Sequence, residues 1–260
     1  MEKYEISDYQ WKQIKDFIPP KTSKCGRARR DPRELINAII WVLRTGAPWC
    51  ALPEKYGPWH TAYNNFRKWT NQGVIEKIFQ AFAAIPEECT EIQIDATYIK
   101  AHQHSAGAKK KEFSDECIGR SRGGLTSKIH VLLNEESRIL RFIVTKGSVN
   151  DCTQAENLLA STIREGMYIL GDKAYDTNNI VNYIRERAAC AVIPSRKSRK
   201  VEREYHKEIY KDRNRIERFF NRLKNFRRIA TRYDKLILSF ISFIQLAAIL
   251  IMIPKFSDFV

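Results

Sequence analysis

In the first third of the chain, apolar positions recur at helical spacing. Leu35, Ile36, Ile39, Ile40 and Leu43 follow Asp31-Pro32-Arg33-Glu34. That start combines an N-cap carboxylate, a proline at the first helical position and a glutamate placed to reach back. Thr45-Gly46 is the expected stop. A turn rich in Pro and Trp runs from Ala47 to Pro53, and Trp59, Tyr63, Phe66 and Trp69 then mark another helix. The remaining positions of that helix offer Asn64, Asn65, Arg67 and Lys68. Helix, turn and polar helix fit a helix-turn-helix reader of DNA, and fit equally a small helical cap.

After Pro86 the period shortens. Ile92, Ile94, Ala96 and Tyr98 alternate with Gln93, Asp95 and Thr97, as in a half-buried strand. Further strands are expected at Ser127 to Leu133 and Ile139 to Thr145, followed by an amphipathic helix from about Asp151 to Arg164. Tyr168 to Asp172 reads as a short buried strand ending on a carboxylate. A helix over about Asn178 to Arg187 and a strand at Ala191 to Pro194 come next, and long helices fill the rest. Three strands, then alternating helix and strand, describe an α/β fold with a ribonuclease-H-like mixed sheet flanked by helices and preceded by a small all-α domain. The expected domains are 1–85 and 86–260. Leu236 to Ile253 is almost wholly apolar, but Ser239, Ser242 and Gln245 interrupt it and no second span accompanies it. A buried terminal helix is therefore expected rather than a membrane anchor.

Charge adds a partner to this picture. Lys and Arg number 45 against 30 Asp and Glu, a net +15, which points to a polyanion and to nucleic acid before a membrane surface. The excess is concentrated: Arg196 to Arg232 holds fifteen basic residues against five acids. The aperiodic stretch His102 to Gly124 adds Lys109, Lys110, Lys111, Arg120 and Arg122, and DNA contact is the preferred use for it. The cysteines at 25, 50, 89, 117, 152 and 190 form no C-x-x-C pair and have no histidine at zinc-finger spacing, so neither a structural zinc nor a disulfide framework is expected. The opening residues carry no charged-then-apolar leader, and a cytoplasmic location is expected.

Candidate chemistry rests on three carboxylates. Asp95 stands mid-strand among apolar neighbours, where an acid is costly unless compensated. Asp172 closes a buried strand, and strand C-termini are where open sheets place ligands. Each also has a plain alternative, Asp95 on the wet face of its strand and Asp172 as a cap for the next turn. On a helix drawn through them, Tyr210, Arg213, Glu217 and Lys224 share one arc beside an apolar stripe of Ile209, Ile216, Phe220 and Leu223. Lys211, Arg215, Arg218 and Arg222 form a basic stripe suited to phosphates. Arg213 and Glu217 can also be read as an ordinary i, i+4 pair.

The motifs resemble those of bacterial insertion-sequence transposases with an Asp-Asp-Glu site. They are Thr45-Gly46-Ala47-Pro48-Trp49 with Leu52-Pro53, Ile94-Asp95-Ala96-Thr97, Gly119 to Thr126, Gly171-Asp172-Lys173-Ala174-Tyr175-Asp176, and Tyr210-x2-Arg213-x3-Glu217-x6-Lys224. The resemblance implies that Asp95, Asp172 and Glu217 hold two divalent ions, Mg²⁺ or Mn²⁺, for phosphodiester cleavage and strand transfer. It gives Tyr210, Arg213 and Lys224 a supporting or phosphate-holding role, and leaves Asn150-Asp151 without an assigned one. The N-terminal helices are expected to read terminal inverted repeats, with target DNA as second substrate, a homodimer on DNA, no membrane partner and a nucleoid-associated bacterial setting. A catalytically inactive DNA-binding repressor and a nuclease on the same fold are the alternatives.

Overall fold

The computed structural model describes residues 4–19, 30–107, 116–121 and 123–253. Arg122 and Lys109, Lys110 and Lys111 lie outside the described residues. In chain order the elements begin with helices α1 (Asp8–Ile14), α2 (Pro32–Thr45), α3 (Trp59–Asn71) and α4 (Val74–Phe82). There follow strands β1 (Glu91–Ala101), β2 (Gly119–Ser121), β3 (Gly124–Asn134) and β4 (Ile139–Lys146), then α5 (Ala155–Leu159), β5 (Tyr168–Gly171), α6 (Asn178–Arg185) and β6 (Cys190–Val192). The chain continues with α7 (Lys207–Tyr210), α8 (Asn214–Lys224), α9 (Arg227–Ala230), β7 (Thr231–Arg232) and α10 (Ile237–Met252). Two compact units result: one from Met1–Phe82, His102–Glu116 and Leu223–Val260, the other from Ala83–Ala101 and Cys117–Arg222.

In the first unit, α2 begins as its sequence dictates. The Asp31 carboxylate accepts the Arg33 N–H at 2.7 Å and Pro32 fills the first position. Glu34 turns away from the cap, taking Arg30 Nε at 2.6 Å. Gly46 ends the helix at φ 71, where a side chain would also meet Arg227 Cβ at 3.0 Å. From Gly46 to Pro58 two short 3₁₀ turns lead to α3. The apolar run near the C-terminus is α10, which packs against α2, α3 and α4. It therefore joins the N-terminal helices, although the sequence reading counted it with the second domain. Its polar stripe is buried too: Ser239 accepts from Arg67 Nη1 at 2.9 Å, and Phe66 stacks on Phe243 with centroids 4.5 Å apart. Among the described residues no helix is long and apolar enough to cross a membrane.

In the second unit, β1 lies between β3, antiparallel to it, and β5, parallel to it. β4 and β2 both pair antiparallel with β3, and β6 extends the sheet parallel to β5. The order β4-β3-β1-β5-β6, with the first three antiparallel and the last two parallel to β1, is the ribonuclease-H-like arrangement expected. Ile92, Ile94, Leu132, Leu158, Ile169, Ile180 and Ile184 belong to the core of this unit.

Four local expectations change. β1 is buried on both faces over Glu91 to Ile94 rather than half-buried, because it is a central strand. The helix expected over Asp151 to Arg164 is a 3₁₀ turn, started by the Asn150 side chain on Cys152 N, followed by α5, which ends at Leu159. Residues 195–206 form no helix, since Arg196, Arg199 and Arg203 are drawn onto one carboxylate, Asp176. The helix drawn through Tyr210, Arg213, Glu217 and Lys224 comes in three pieces: α7, a 3₁₀ turn over Lys211–Arg213, and α8.

Candidate active site

Register brings the first two carboxylates together. Ile94 on β1 stands opposite Gly171 on the parallel strand β5, so the next residue along each strand is an aspartate. Gly171 permits this approach: a Cβ there would meet Ile94 Cγ2 at 3.2 Å and Tyr175 Cδ2 at 3.3 Å. Asp172 is the first residue beyond its strand and caps the 3₁₀ turn Lys173–Tyr175, one oxygen accepting the Ala174 N–H at 2.8 Å.

Asp95 is the more constrained of the two. Its Oδ1 accepts the Ala96 N–H at 2.7 Å, and its Oδ2 faces Arg213 Nη1 at 3.3 Å. Burial pushes the carboxyl up to about 6; the Ala96 N–H opposes that, the charge of Asp172 adds to it, and Arg213 opposes it. Arg213 is the hub. Its other terminal nitrogen donates to Glu217 Oε1, so the i, i+4 pair forms and reaches onward to Asp95. The guanidinium lies 5.9 Å from the centre of the Tyr210 ring. Burial works against its charge, but Tyr210, Asp95, Glu217 and Asp172 together hold its pKa above the usual value.

The structure thus brings Asp95, Asp172, Tyr210, Arg213 and Glu217 into one electrostatic neighbourhood. It does not close the three carboxylates into a coordination set: among the described residues no three His, Cys, Asp or Glu side chains are grouped to hold a metal ion. A cation already stands there, the Arg213 guanidinium, bonded to both Asp95 and Glu217. The residues fit a divalent ion in donor chemistry, all three being carboxylates, and in charge, since Asp95 and Asp172 repel one another. Glu217, bonded to Arg213 through Oε1, has 56% of its side chain exposed.

Tyr175, Asp151 and Lys128 carry no assigned role in the sequence analysis. Tyr175 is fully buried, its hydroxyl has no hydrogen-bond partner among the described residues, and burial followed by the charges of Asp95, Asp151 and Asp172 drives its pKa well up. Asp151 also faces the buried Lys128, whose Nζ donates to it and to Val149 O, each at 2.7 Å. Burial opposes the Lys128 charge, yet the Asp151 and Tyr98 hydrogen bonds leave its pKa raised. The signal available for Lys128 was that it is the only Lys, Arg, Asp or Glu in β3. Lys224 is half-buried, and burial lowers its pKa.

The expected DNA contacts divide. Asn64 and Lys68 are exposed on α3, Asn65 is tied to Thr61 O at 2.8 Å, and Arg67 is tied to Ser239. Arg120, Arg218 and Arg222 are exposed. Arg215 pairs with Glu91 at 2.9 Å and Asp212 at 2.8 Å, so it is engaged in the fold.

Comparison with known proteins decides what this geometry belongs to. Residues 90–252 match the family described as Transposase DDE domain, and residues 6–79 match one described as Putative transposase of IS4/5 family. The chain belongs to the DDE transposase family. It is 34% identical over 131 residues to a putative transposase for insertion sequence element IS6501 of Brucella ovis, covering 49% of this chain and 98% of that one. An uncharacterised protein of Sinorhizobium fredii is 31% identical over 105 residues, 40% of this chain and 83% of the relative. Among solved structures, a piggyBac transposase synaptic complex with hairpin DNA aligns at TM-score 0.49 and 8% identity, over 93% of this chain and 70% of that one. A pre-cleavage Mos1 transpososome aligns at TM-score 0.28 and 9% identity, over 92% and 83%. DDE transposases are enzymes that cleave DNA and transfer strands, and they use divalent metal. This chain is a DNA transposase with that domain.

Proposed function

We propose that this transposase cleaves DNA at the ends of an insertion sequence and joins the freed 3′ hydroxyl to target DNA, with Asp95, Asp172 and Glu217 holding two Mg²⁺ or Mn²⁺ ions. The observation that carries the reading is the β1–β5 register, which sets Asp95 and Asp172 side by side, with Arg213 linking Asp95 to Glu217. Such ions, when bound, activate the attacking oxygen and offset charge on the leaving one in an in-line displacement.

The chain's own groups do the rest. Asp95, within β1, and Asp172, just beyond the end of β5, form a pair of oxygen donors, and Glu217 completes them from α8. Arg213, released from Glu217, keeps its charge beside Asp95 and is placed to hold a phosphate oxygen, with Tyr210 alongside. Arg218 and Arg222 on the exposed face of α8 suit the DNA backbone, as do Arg120 and the exposed Asn64 and Lys68. The α2–α3 region reads the terminal repeats, and pairing two ends calls for a homodimer on DNA.

The test is purified protein with Mg²⁺ and labelled element ends. Wild type is expected to cleave and then join. Asp95→Asn, Asp172→Asn and Glu217→Gln are each expected to lose both steps while keeping DNA binding. Binding alone in wild type would identify a repressor, cleavage without joining a nuclease, and substantial cleavage by any of the three variants would remove that residue from the ligand set.

A further inference from the structure

Gln93 is fully buried on β1, two residues before Asp95 and on the same face of the strand. A buried primary amide is costly unless its donors and acceptor are met, and here they are. Its Oε1 accepts the backbone N–H of Ile216 at 3.2 Å, and its Nε2 donates to the backbone carbonyl of Asp212 at 2.9 Å and to Glu91 Oε1 at 2.8 Å. Ile216 immediately precedes Glu217, and Asp212 immediately precedes Arg213. One side chain thus grips the backbone next to Arg213, which is bonded to Asp95, and next to Glu217, which is bonded to Arg213.

One partner is a group that local structure leaves open. Ile216 lies in the first turn of α8, where N–H groups have no intrahelical acceptor, and Gln93 supplies one from the neighbouring strand. The brace is itself braced, because Arg215 joins Glu91 to Asp212 on the outer side of the same network. Among the described residues the network does not itself bond Asp95, Asp172 or Glu217, so its effect on them runs through the height and rotation of the α8 start.

We propose that Gln93 is a positioning residue that sets Glu217 against Asp95 and thereby sets divalent-metal affinity. The proposal rests on the metal-ligand reading above. Losing a hydrogen bond made directly to a metal ligand typically changes affinity roughly 10–100-fold, and a brace on the adjacent backbone is expected at the lower end of that range.

Mn²⁺ binding to the full chain without DNA, followed by calorimetry, tests it. Gln93→Met keeps length and loses every hydrogen bond, and is expected to weaken Mn²⁺ binding roughly tenfold. Gln93→Glu keeps an oxygen for the Ile216 N–H and is expected to fall between Gln93→Met and wild type; it carries the test if the Met variant does not fold. The double variant Gln93→Met/Glu217→Gln is expected to bind no more weakly than Glu217→Gln alone. Leu158→Ala, a core truncation of the same unit, is expected to lower the melting temperature and leave Mn²⁺ affinity unchanged. Wild-type affinity in both Gln93 variants, or additive losses in the double variant, overturns the positioning role. If Glu217→Gln itself binds Mn²⁺ as wild type does, the fault lies with the ligand set, and Gln93 has nothing to position.

Discussion

Asp95 shows how a single side chain can carry a fold's electrical cost. The sequence marked it as an acid in an apolar strand, which was legible. That its relief comes from Arg213, more than a hundred residues away, was not, because the turn that delivers Arg213 depends on the break between α7 and α8. Its carboxyl is raised to about 6, against 3.8 for a free aspartate. Between those values the folded chain holds a proton that the unfolded chain has lost, so metal-free stability falls as pH rises through this window. The effect is on the order of 3 kcal/mol, at about 1.4 kcal/mol per unit. Melting curves in a chelator should therefore show Asp95→Asn gaining on wild type as pH goes from 4 to 7; a difference that does not change with pH would contradict the assignment.

At the scale of elements, periodicity located five of the seven described strands and the two longest helices, and it failed where side-chain pairing overrode it. The segment 195–206 carries charge at helix-compatible density, yet Asp176 pulls Arg199 and Arg203 inward at 2.7 and 3.1 Å and sets an irregular path. Spacing could not reveal that, since the partner lies in a different loop. Gln93 is a similar case: Glu91, Gln93 and Asp95 share one face of β1, and a polar row on a central strand was a readable but unread signal. The C-terminal part of the chain offers a further test. Arg228 and Asp234 are nearly buried and joined by two hydrogen bonds, at 2.8 and 3.0 Å. Asp234→Ala leaves a buried guanidinium without its carboxylate and is expected to cost about 3–5 kcal/mol in chemical denaturation. A loss below about 1 kcal/mol would mean that the Ala47 carbonyl and the ring of Phe243 suffice for Arg228.

For the molecule as a whole, the strand order and the polyanion-seeking charge were legible in the chain, and the two units were legible only in part. A hydrophobic run such as Leu236 to Ile253 reports that it will be buried but not where, so α10 joins helices some two hundred residues earlier. The site has the same character. The motif points to its residues, whereas the structure shows Arg213 bonded to both Asp95 and Glu217. Diffraction at the manganese absorption edge from crystals of the full chain grown with Mn²⁺ addresses this directly. The account predicts anomalous density bound by Asp95, Asp172 and Glu217, with Arg213 turned away from Glu217. Manganese absent from Asp95 and Asp172, or present there while Glu217 remains paired with Arg213, would contradict it.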